Sequence, residues 1–195
     1  MAYDQKFYRM YQRYLREEAV RANHDKIFEY FRRFTKPTQL RVVDLGCGLG
    51  EYSRYGSYAQ YAGIDLNDTL HVKNFVQADY HDPHFVNRLP FIPTAFVSLF
   101  SIECCHSALD KYALYEKIFA YIPSIEYGMV GGFFYESRRD LETVGETGGI
   151  ISYQTIEDSS RHISRIFSEF RIHMHTPSKM FGNDVIEIWK ILSRW

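Results

Sequence analysis

Residues 41–50 read Arg-Val-Val-Asp-Leu-Gly-Cys-Gly-Leu-Gly, and this stretch decides how the rest of the chain is interpreted. The apolar run Leu40 to Leu45, interrupted by Arg41, predicts a buried strand because it is short and bounded by glycines. Three glycines then alternate over five residues, and glycine lets the backbone adopt positive φ and approach a ligand closely. With a predicted helix from Glu51, the stretch predicts the first crossover of an open α/β sheet, whose ligands bind outside the carboxyl ends of the strands.

The spacing of the glycines separates two classes of ligand. Dinucleotide folds use G-x-G-x-x-G and seat a pyrophosphate on the helix N-terminus. Here the spacing is G-x-G-x-G, and Asp44 precedes it. A carboxylate beside the turn would repel a pyrophosphate but would suit an ammonium group. S-adenosylmethionine, which has a zwitterionic amino-acid end and no phosphate, satisfies this condition.

The segment Val42 to Gly50 resembles motif I of the class I S-adenosylmethionine-dependent methyltransferases without a gap. The resemblance extends over roughly residues 38–192. It implies a Rossmann-like, doubly wound, mostly parallel seven-stranded sheet with an antiparallel last strand. It also implies S-adenosyl-L-methionine as the cofactor and S-adenosyl-L-homocysteine as the product.

Two further acids, Asp65 and Asp79, lie at the carboxyl ends of predicted strands over 58–66 and 71–80. An acid at the position of Asp65 can accept both hydroxyls of a ribose, and the resembled family has such an acid there. The resemblance implies that Asp79 accepts a hydrogen bond from the adenine amino group. The cofactor-binding residues expected in this way are Asp44, Gly46, Cys47, Gly48, Gly50, Asp65, Leu66, Asp79, Tyr80 and Ser101, with Tyr14 from the N-terminal helix.

Catalytic residues are expected after a predicted strand over 94–100, at the position that faces the transferred methyl group in the resembled fold. Glu103 and His106 are the candidates there, and a general base is needed only if the acceptor must lose a proton. The segment lacks the Asn/Asp-Pro-Pro-Tyr signature of enzymes that methylate DNA bases or glutamine side chains, which argues against those substrates.

The remaining patterns complete a single predicted domain over 1–195, in which 1–36 is a helical extension or lid. Asn23 is a candidate cap between two helical segments within 3–34, and Asp82 is a candidate N-cap for a helix to about Leu89. The other predicted elements are helices over 51–57, 110–121 and 156–167, strands over 127–136, 170–174 and 184–192, and a loop over 137–153.

Composition excludes several classes of function. The net charge of −1 provides no electrostatic case for a nucleic-acid partner. No stretch approaches the roughly 20 apolar residues of a membrane helix, and the N-terminus lacks the apolar segment of a signal peptide. The 3 cysteines form neither a disulfide framework nor a metal-ligand spacing, so we expect no metal and a cytoplasmic location.

Three functions remain open at this point. The favoured one is methyl transfer from S-adenosylmethionine to a small-molecule acceptor. The alternatives are a methyltransferase that acts on protein or RNA with a partner, and a non-catalytic scaffold that retains the fold. A nicotinamide dehydrogenase is the least favoured, because the glycine spacing differs from the dinucleotide pattern.

Overall fold

The computed structural model describes residues 5–35, 40–55, 58–67, 72–99, 101–102, 108–135, 154–155, 168–180 and 183–193. Within these ranges the helices are α1 (Gln5–Arg16), α2 (Glu18–Thr35) and α3 (Ala108–Tyr121). The strands are β1 (Arg41–Leu45), β2 (Gln60–Asp65), β3 (Phe75–Gln77), β4 (Ala95–Leu99), β5 (Tyr127–Tyr135), β6 (Gln154–Thr155), β7 (Ser168–Met180) and β8 (Asn183–Ser193).

All the strands described belong to one sheet with the order β3-β2-β1-β4-β5-β8-β7, and β6 pairs with β5 beside this path. The pairs from β3 to β5 are parallel, whereas β8 is antiparallel to both β5 and β7. This confirms the predicted α/β class with an antiparallel last strand. The strand order reverses at β1, between β2 and β4, and such a switch point is where open α/β sheets bind ligands.

Two apolar cores cover the faces of the sheet, which explains why β1 and β4 are apolar on both faces. One core lies between the sheet and the pair α1–α2, and it includes Phe28, Phe31 and Val42. The other lies between the sheet and α3, and it includes Val43 and Tyr115. Successive strand residues alternate between the two cores, so Asp44 shares the α1–α2 side with Val42.

The N-terminal helices differ from the sequence prediction at their junction. The break falls at Glu17, between α1 and α2, and Asn23 lies inside α2. The predicted cap at Asn23 is therefore wrong. Since residues 3–34 contain no Gly or Pro, the sequence offers no backbone signal that would locate this junction.

Two short predicted helices are 3₁₀-helices. The segment after the glycine turn is helical over Glu51–Arg54, and the second segment over Pro83–Arg88. The predicted N-cap of the second is confirmed, because the Asp82 carboxylate accepts a hydrogen bond of 3.0 Å from the His84 amide. β3 is also shorter than the predicted strand over 71–80.

The far end of the sheet is longer than the sequence predicted. β7 and β8 run beyond the predicted 170–174 and 184–192, and their pairing shifts register between Thr176 and Lys179, on either side of Pro177. The predicted count of seven strands is wrong, because the two-residue strand β6, which was not predicted, pairs with β5 as an eighth among the described strands. The predicted loop over 137–153 and helix over 156–167 lie outside the described residues. Among the described helices, none has the length and apolar character needed to cross a bilayer.

Candidate cofactor site at the carboxyl edge of the sheet

The glycine turn after β1 has the backbone geometry that the sequence predicted. Gly46, Gly48 and Gly50 have φ values of +72°, +52° and +70°, in the left-handed region that L side chains rarely adopt. The amides of Gly46 and Cys47 donate to the Ile64 carbonyl at 2.8 and 3.0 Å. The turn is thereby tied to the end of β2.

The three glycines have different surroundings. A Cβ atom added at Gly46 would lie 1.9 Å from Ser101 Oγ, and one at Gly50 would lie 2.3 Å from Val72 Cγ2. Among the described residues, a Cβ added at Gly48 would have no heavy atom within 4 Å. Packing within the protein therefore excludes side chains at Gly46 and Gly50, whereas the turn faces open space at Gly48.

The Asp65 carboxylate lies directly against this open position. Its Oδ2 accepts a hydrogen bond of 2.9 Å from the Gly48 amide, and its Oδ1 accepts from the Asn67 amide at 2.9 Å and from Asn67 Nδ2 at 3.2 Å. The residue is 9% exposed, whereas the next side chain, Leu66, is 50% exposed. An acceptor group and an apolar side chain thus flank the turn on its β2 side.

Asp44 is buried beneath the turn. It is 1% exposed, and its Oδ2 accepts a hydrogen bond of 2.5 Å from the Tyr61 hydroxyl. Burial raises the pKa of Asp44 to about 7, the hydrogen bond from Tyr61 opposes the rise, and the negative charge of Asp65 adds to it. Near neutral pH the carboxyl group of Asp44 therefore holds a proton in an appreciable part of the molecules.

Asp79 and Tyr80 lie after β3. Asp79 Oδ1 accepts hydrogen bonds from the His81 amide at 2.9 Å and from His81 Nδ1 at 2.7 Å. Desolvation opposes ionisation of Asp79, but the hydrogen bonds and charge of His81 outweigh it and lower its pKa. The Tyr80 hydroxyl is 3.1 Å from Ser101 Oγ, so this contact joins the segment after β3 to the segment after β4.

The other predicted site residues are placed as follows. Cys47 has a buried thiol within the turn. Tyr14 is 3% exposed and belongs to the core between α1–α2 and the sheet, together with Leu99 at the carboxyl end of β4. The candidate bases Glu103 and His106 lie outside the described residues. Within the part of the chain described, no group of three or more His, Cys, Asp or Glu side chains could hold a metal ion.

Sequence reasoning missed Tyr61 as the partner of Asp44. The two residues are 17 positions apart, and they meet because β1 and β2 pair in parallel with Val42 opposite Tyr61. The alternation of β2 could have indicated that Tyr61 and Gly63 share one face. No signal within the sequence gives the register between the two strands.

No family model and no curated protein sequence matches the chain. Solved structures do. Magnesium protoporphyrin IX methyltransferase from Synechocystis PCC 6803, with bound S-adenosylhomocysteine, is 13% identical over 98% of this chain and 95% of its own, with a TM-score of 0.65. The N-methyltransferase NodS from Bradyrhizobium japonicum, in complex with S-adenosylhomocysteine, is 9% identical over 98% and 99%, with a TM-score of 0.60.

A cyclopropane synthase from Mycobacterium tuberculosis is also similar, with 13% identity over 92% of this chain and 88% of its own and a TM-score of 0.57. At such low identity these likenesses are evidence of fold alone. They agree with the α/β architecture described above. The chain therefore has the fold of the class I S-adenosylmethionine-dependent methyltransferases.

Proposed function

We propose that this chain binds S-adenosylmethionine at the carboxyl edge of the sheet and transfers its methyl group to a small-molecule acceptor. The observation that carries the proposal is the turn at Gly48. Its backbone faces open space at the switch point of the sheet, and its amide is held by the carboxylate of Asp65. A side chain at this position would fill the space that a ligand needs.

The residues around the turn fit the proposed cofactor. A carboxylate offers about four acceptor sites. The Gly48 amide, the Asn67 amide and Asn67 Nδ2 use three of them, so Asp65 keeps one for a ribose hydroxyl, and a second becomes available when a ribose hydroxyl replaces the side-chain donor Asn67 Nδ2. The exposed side chain of Leu66 would lie against the adenine, and Asp79 would accept its amino group. Asp44 would supply negative charge for the ammonium end, and Tyr80 and Ser101 would line the cavity between these groups.

When bound, the cofactor supplies the reactive methyl carbon and its leaving group. The chain has to hold the acceptor in line, at roughly 3–3.5 Å from the reacting carbon, and to exclude water. We propose Glu103 and His106 as the groups that take a proton from the acceptor where one must be lost. Their place in the sequence after β4 supports this role.

We further propose that residues 1–36 form the cover of this site within a single domain. The burial of Tyr14 and Leu15 in the core that also contains Leu99 supports it, because Leu99 ends β4 at the ligand-binding edge. A small molecule as acceptor agrees with the net charge of −1 and with the porphyrin named for one structural neighbour.

Calorimetric titration of the whole chain with S-adenosylmethionine tests the proposal. We expect saturable binding at one site, no binding of NADH, and transfer of a labelled methyl group to small molecules from a cell extract. Binding without transfer to any fraction of the extract would favour a scaffold over an enzyme. An absence of heat from protein that is folded by circular dichroism would contradict the proposed cofactor.

A further inference from the structure

Asp44 is an acid that has no compensating positive charge among the residues that the structure describes. Its carboxyl group is buried on the α1–α2 side of β1, and the Tyr61 hydroxyl donates to it at 2.5 Å. Gly63 pairs with Asp44 on β2, and a Cβ there would lie 2.7 Å from Cys47 Sγ. The absence of a side chain at Gly63 leaves Tyr61 as the neighbour that reaches Asp44 from β2.

The charged and titratable groups around the Asp44–Tyr61 pair come from α2, β2, the segment before β2 and the glycine turn. They are Asp65, Cys47, Tyr58 and Arg32. Within the described part of the chain, no lysine or arginine forms an ion pair with Asp44. Arg32 acts electrostatically on Tyr58, whereas Asp65 adds negative charge near Asp44. An ionised Asp44 thus has a hydroxyl donor but no counter-ion.

We propose that binding of the ammonium end of the cofactor expels a proton from Asp44 to the solvent, and that Tyr61 is the positioning residue that stabilises the carboxylate left behind. This inference rests on the proposed function, since it concerns the same site. It adds a coupling between ligand uptake and proton release that neither the glycine turn nor the fold requires.

The physical basis is the change in charge around a buried acid. In the free protein, burial raises the pKa of Asp44 to about 7, so below neutral pH the carboxyl group is protonated. An ammonium group brought close supplies the missing counter-ion and favours the ionised form. One negative charge appears on Asp44, and one proton passes to the buffer. Burial and the charge of Asp44 raise the pKa of Tyr61, so its hydroxyl keeps its proton and remains a donor.

The proposal predicts how affinity depends on pH. If one proton is released on binding, the affinity falls about tenfold for each pH unit below the pKa of Asp44 in the free protein. The useful range is pH 5.5 to 7, because free α-amino groups titrate at about 7.7–8.0 and the ligand itself would lose its charge above that.

The experiment is calorimetric titration of the whole chain with S-adenosylhomocysteine at pH 6, in buffers that differ in their enthalpy of ionisation. This ligand has the ammonium end but no sulfonium, so the buffer dependence reports on the ammonium end. We expect the release of about one proton per bound ligand for the wild type. We expect none for Asp44→Asn, and none for the wild type titrated with adenosine, which lacks the amino-acid end.

A matched pair of tyrosine variants tests the role of Tyr61. The hydrogen bond from Tyr61 lowers the pKa of Asp44, so Tyr61→Phe should move the midpoint of the affinity–pH curve upward. Tyr58→Phe is the control, because the Tyr58 ring stacks on Tyr61 at 5.9 Å while its buried hydroxyl has no hydrogen-bond partner in the described part of the chain. We expect its midpoint to match the wild type.

The possible failures are distinguishable. If S-adenosylhomocysteine binds the wild type without buffer-dependent heat, or if Asp44→Asn still releases a proton, the coupling is wrong while the cofactor site stands. An unchanged midpoint in Tyr61→Phe overturns the positioning role, even if Asp44→Asn binds too weakly to titrate. If neither cofactor form binds the folded wild type, the proposed function fails and the coupling fails with it.

Discussion

At the scale of single residues, the turn needs glycine for two different reasons, close packing inside the protein and room for a ligand. The sequence shows a glycine in either case. All three glycines have left-handed φ values. Gly46 and Gly50 are also required by contacts inside the protein, with Ser101 and Val72 respectively. Gly48 alone of the three faces open space. The lack of a side chain there is not needed for packing, and it leaves room for the proposed ligand.

This difference predicts that two matched alanine variants lose different amounts of stability. Gly48→Ala should cost roughly 1–2 kcal/mol of unfolding free energy, because a Cβ atom is disfavoured at left-handed φ, and it should abolish cofactor binding. Gly46→Ala carries the same backbone penalty and a clash with Ser101, which adds about 1–3 kcal/mol. Urea unfolding and calorimetric titration of both variants measure this. Equal stabilities would show that the contact with Ser101 relaxes freely.

The carboxylate of Asp65 provides a second prediction at this scale. Asp65→Ala should weaken S-adenosylmethionine binding by about 2–3 kcal/mol, since paired hydroxyls would lose a charged acceptor. Asp25→Ala, an acid removed from the exposed face of α2, is the control and should leave the affinity unchanged. Both are measured by titration of the folded proteins. An unchanged affinity in Asp65→Ala would remove this residue from the site.

At the scale of elements, the pairing of β5 with β8 depends on a close approach of backbone to side chain. A Cβ added at Gly131 would lie 2.9 Å from the ring of Trp189, which is fully buried. Adjacent glycines inside a strand, here Gly131 and Gly132, are typical of a bulge or of a close approach to the backbone. The described pairing of β5 with β8 runs without a register shift, so the close approach is the explanation.

We therefore expect Gly131→Ala to lower the free energy of unfolding by about 1–3 kcal/mol through overpacking. Trp189→Leu should lower the free energy of unfolding in the wild type. It should lower it clearly less in the Gly131→Ala background, because there it also removes the clashing ring. Chemical denaturation of the four proteins of this double-mutant cycle measures the coupling. Additive losses would show that the two residues do not compete for the same space.

At the scale of the whole molecule, two buried titratable groups have opposite effects on the way that the free energy of unfolding changes with pH. His24 is fully buried, and burial, aided by the charge of Arg54, lowers its pKa to about 3. The unfolded chain binds a proton at His24 below about pH 6.5, so this group destabilises the fold as pH falls. Asp44 has a raised pKa, so its stabilisation of the fold is present below its unfolded pKa of 3.8 and is lost as pH rises towards 7.

The two effects nearly cancel between about pH 4 and 6.5, where each changes stability by roughly 1.4 kcal/mol per pH unit. We expect the wild type to show a shallow pH dependence in that range. Asp44→Asn should lose about 1.4 kcal/mol for each unit that the pH falls, because the His24 contribution is no longer opposed. His24→Gln should show the reverse slope. Urea unfolding at several pH values is the measurement, and parallel curves for all three proteins would contradict it.

Local sequence patterns specify the class of fold, the glycine turn and the cap at Asp82. These features depend on short apolar runs and on residues a few positions apart, so local backbone preferences specify them. The same locality explains why Asp65 could be placed at the carboxyl end of β2. The turn itself was therefore the part of the site that could be predicted best, whereas the roles of Glu103 and His106 stay predictions.

The tertiary structure alone decided which of these groups meet, and in what state of charge. Asp44 and Tyr61 are joined across two strands, and Tyr80 and Ser101 across the ends of two others. Strand register and strand order set these contacts, and no local pattern encodes them. The charge of Asp44 follows from its burial, because a carboxylate without a counter-ion is disfavoured away from water. A sequence displays the acid, but only the fold determines whether it carries a proton.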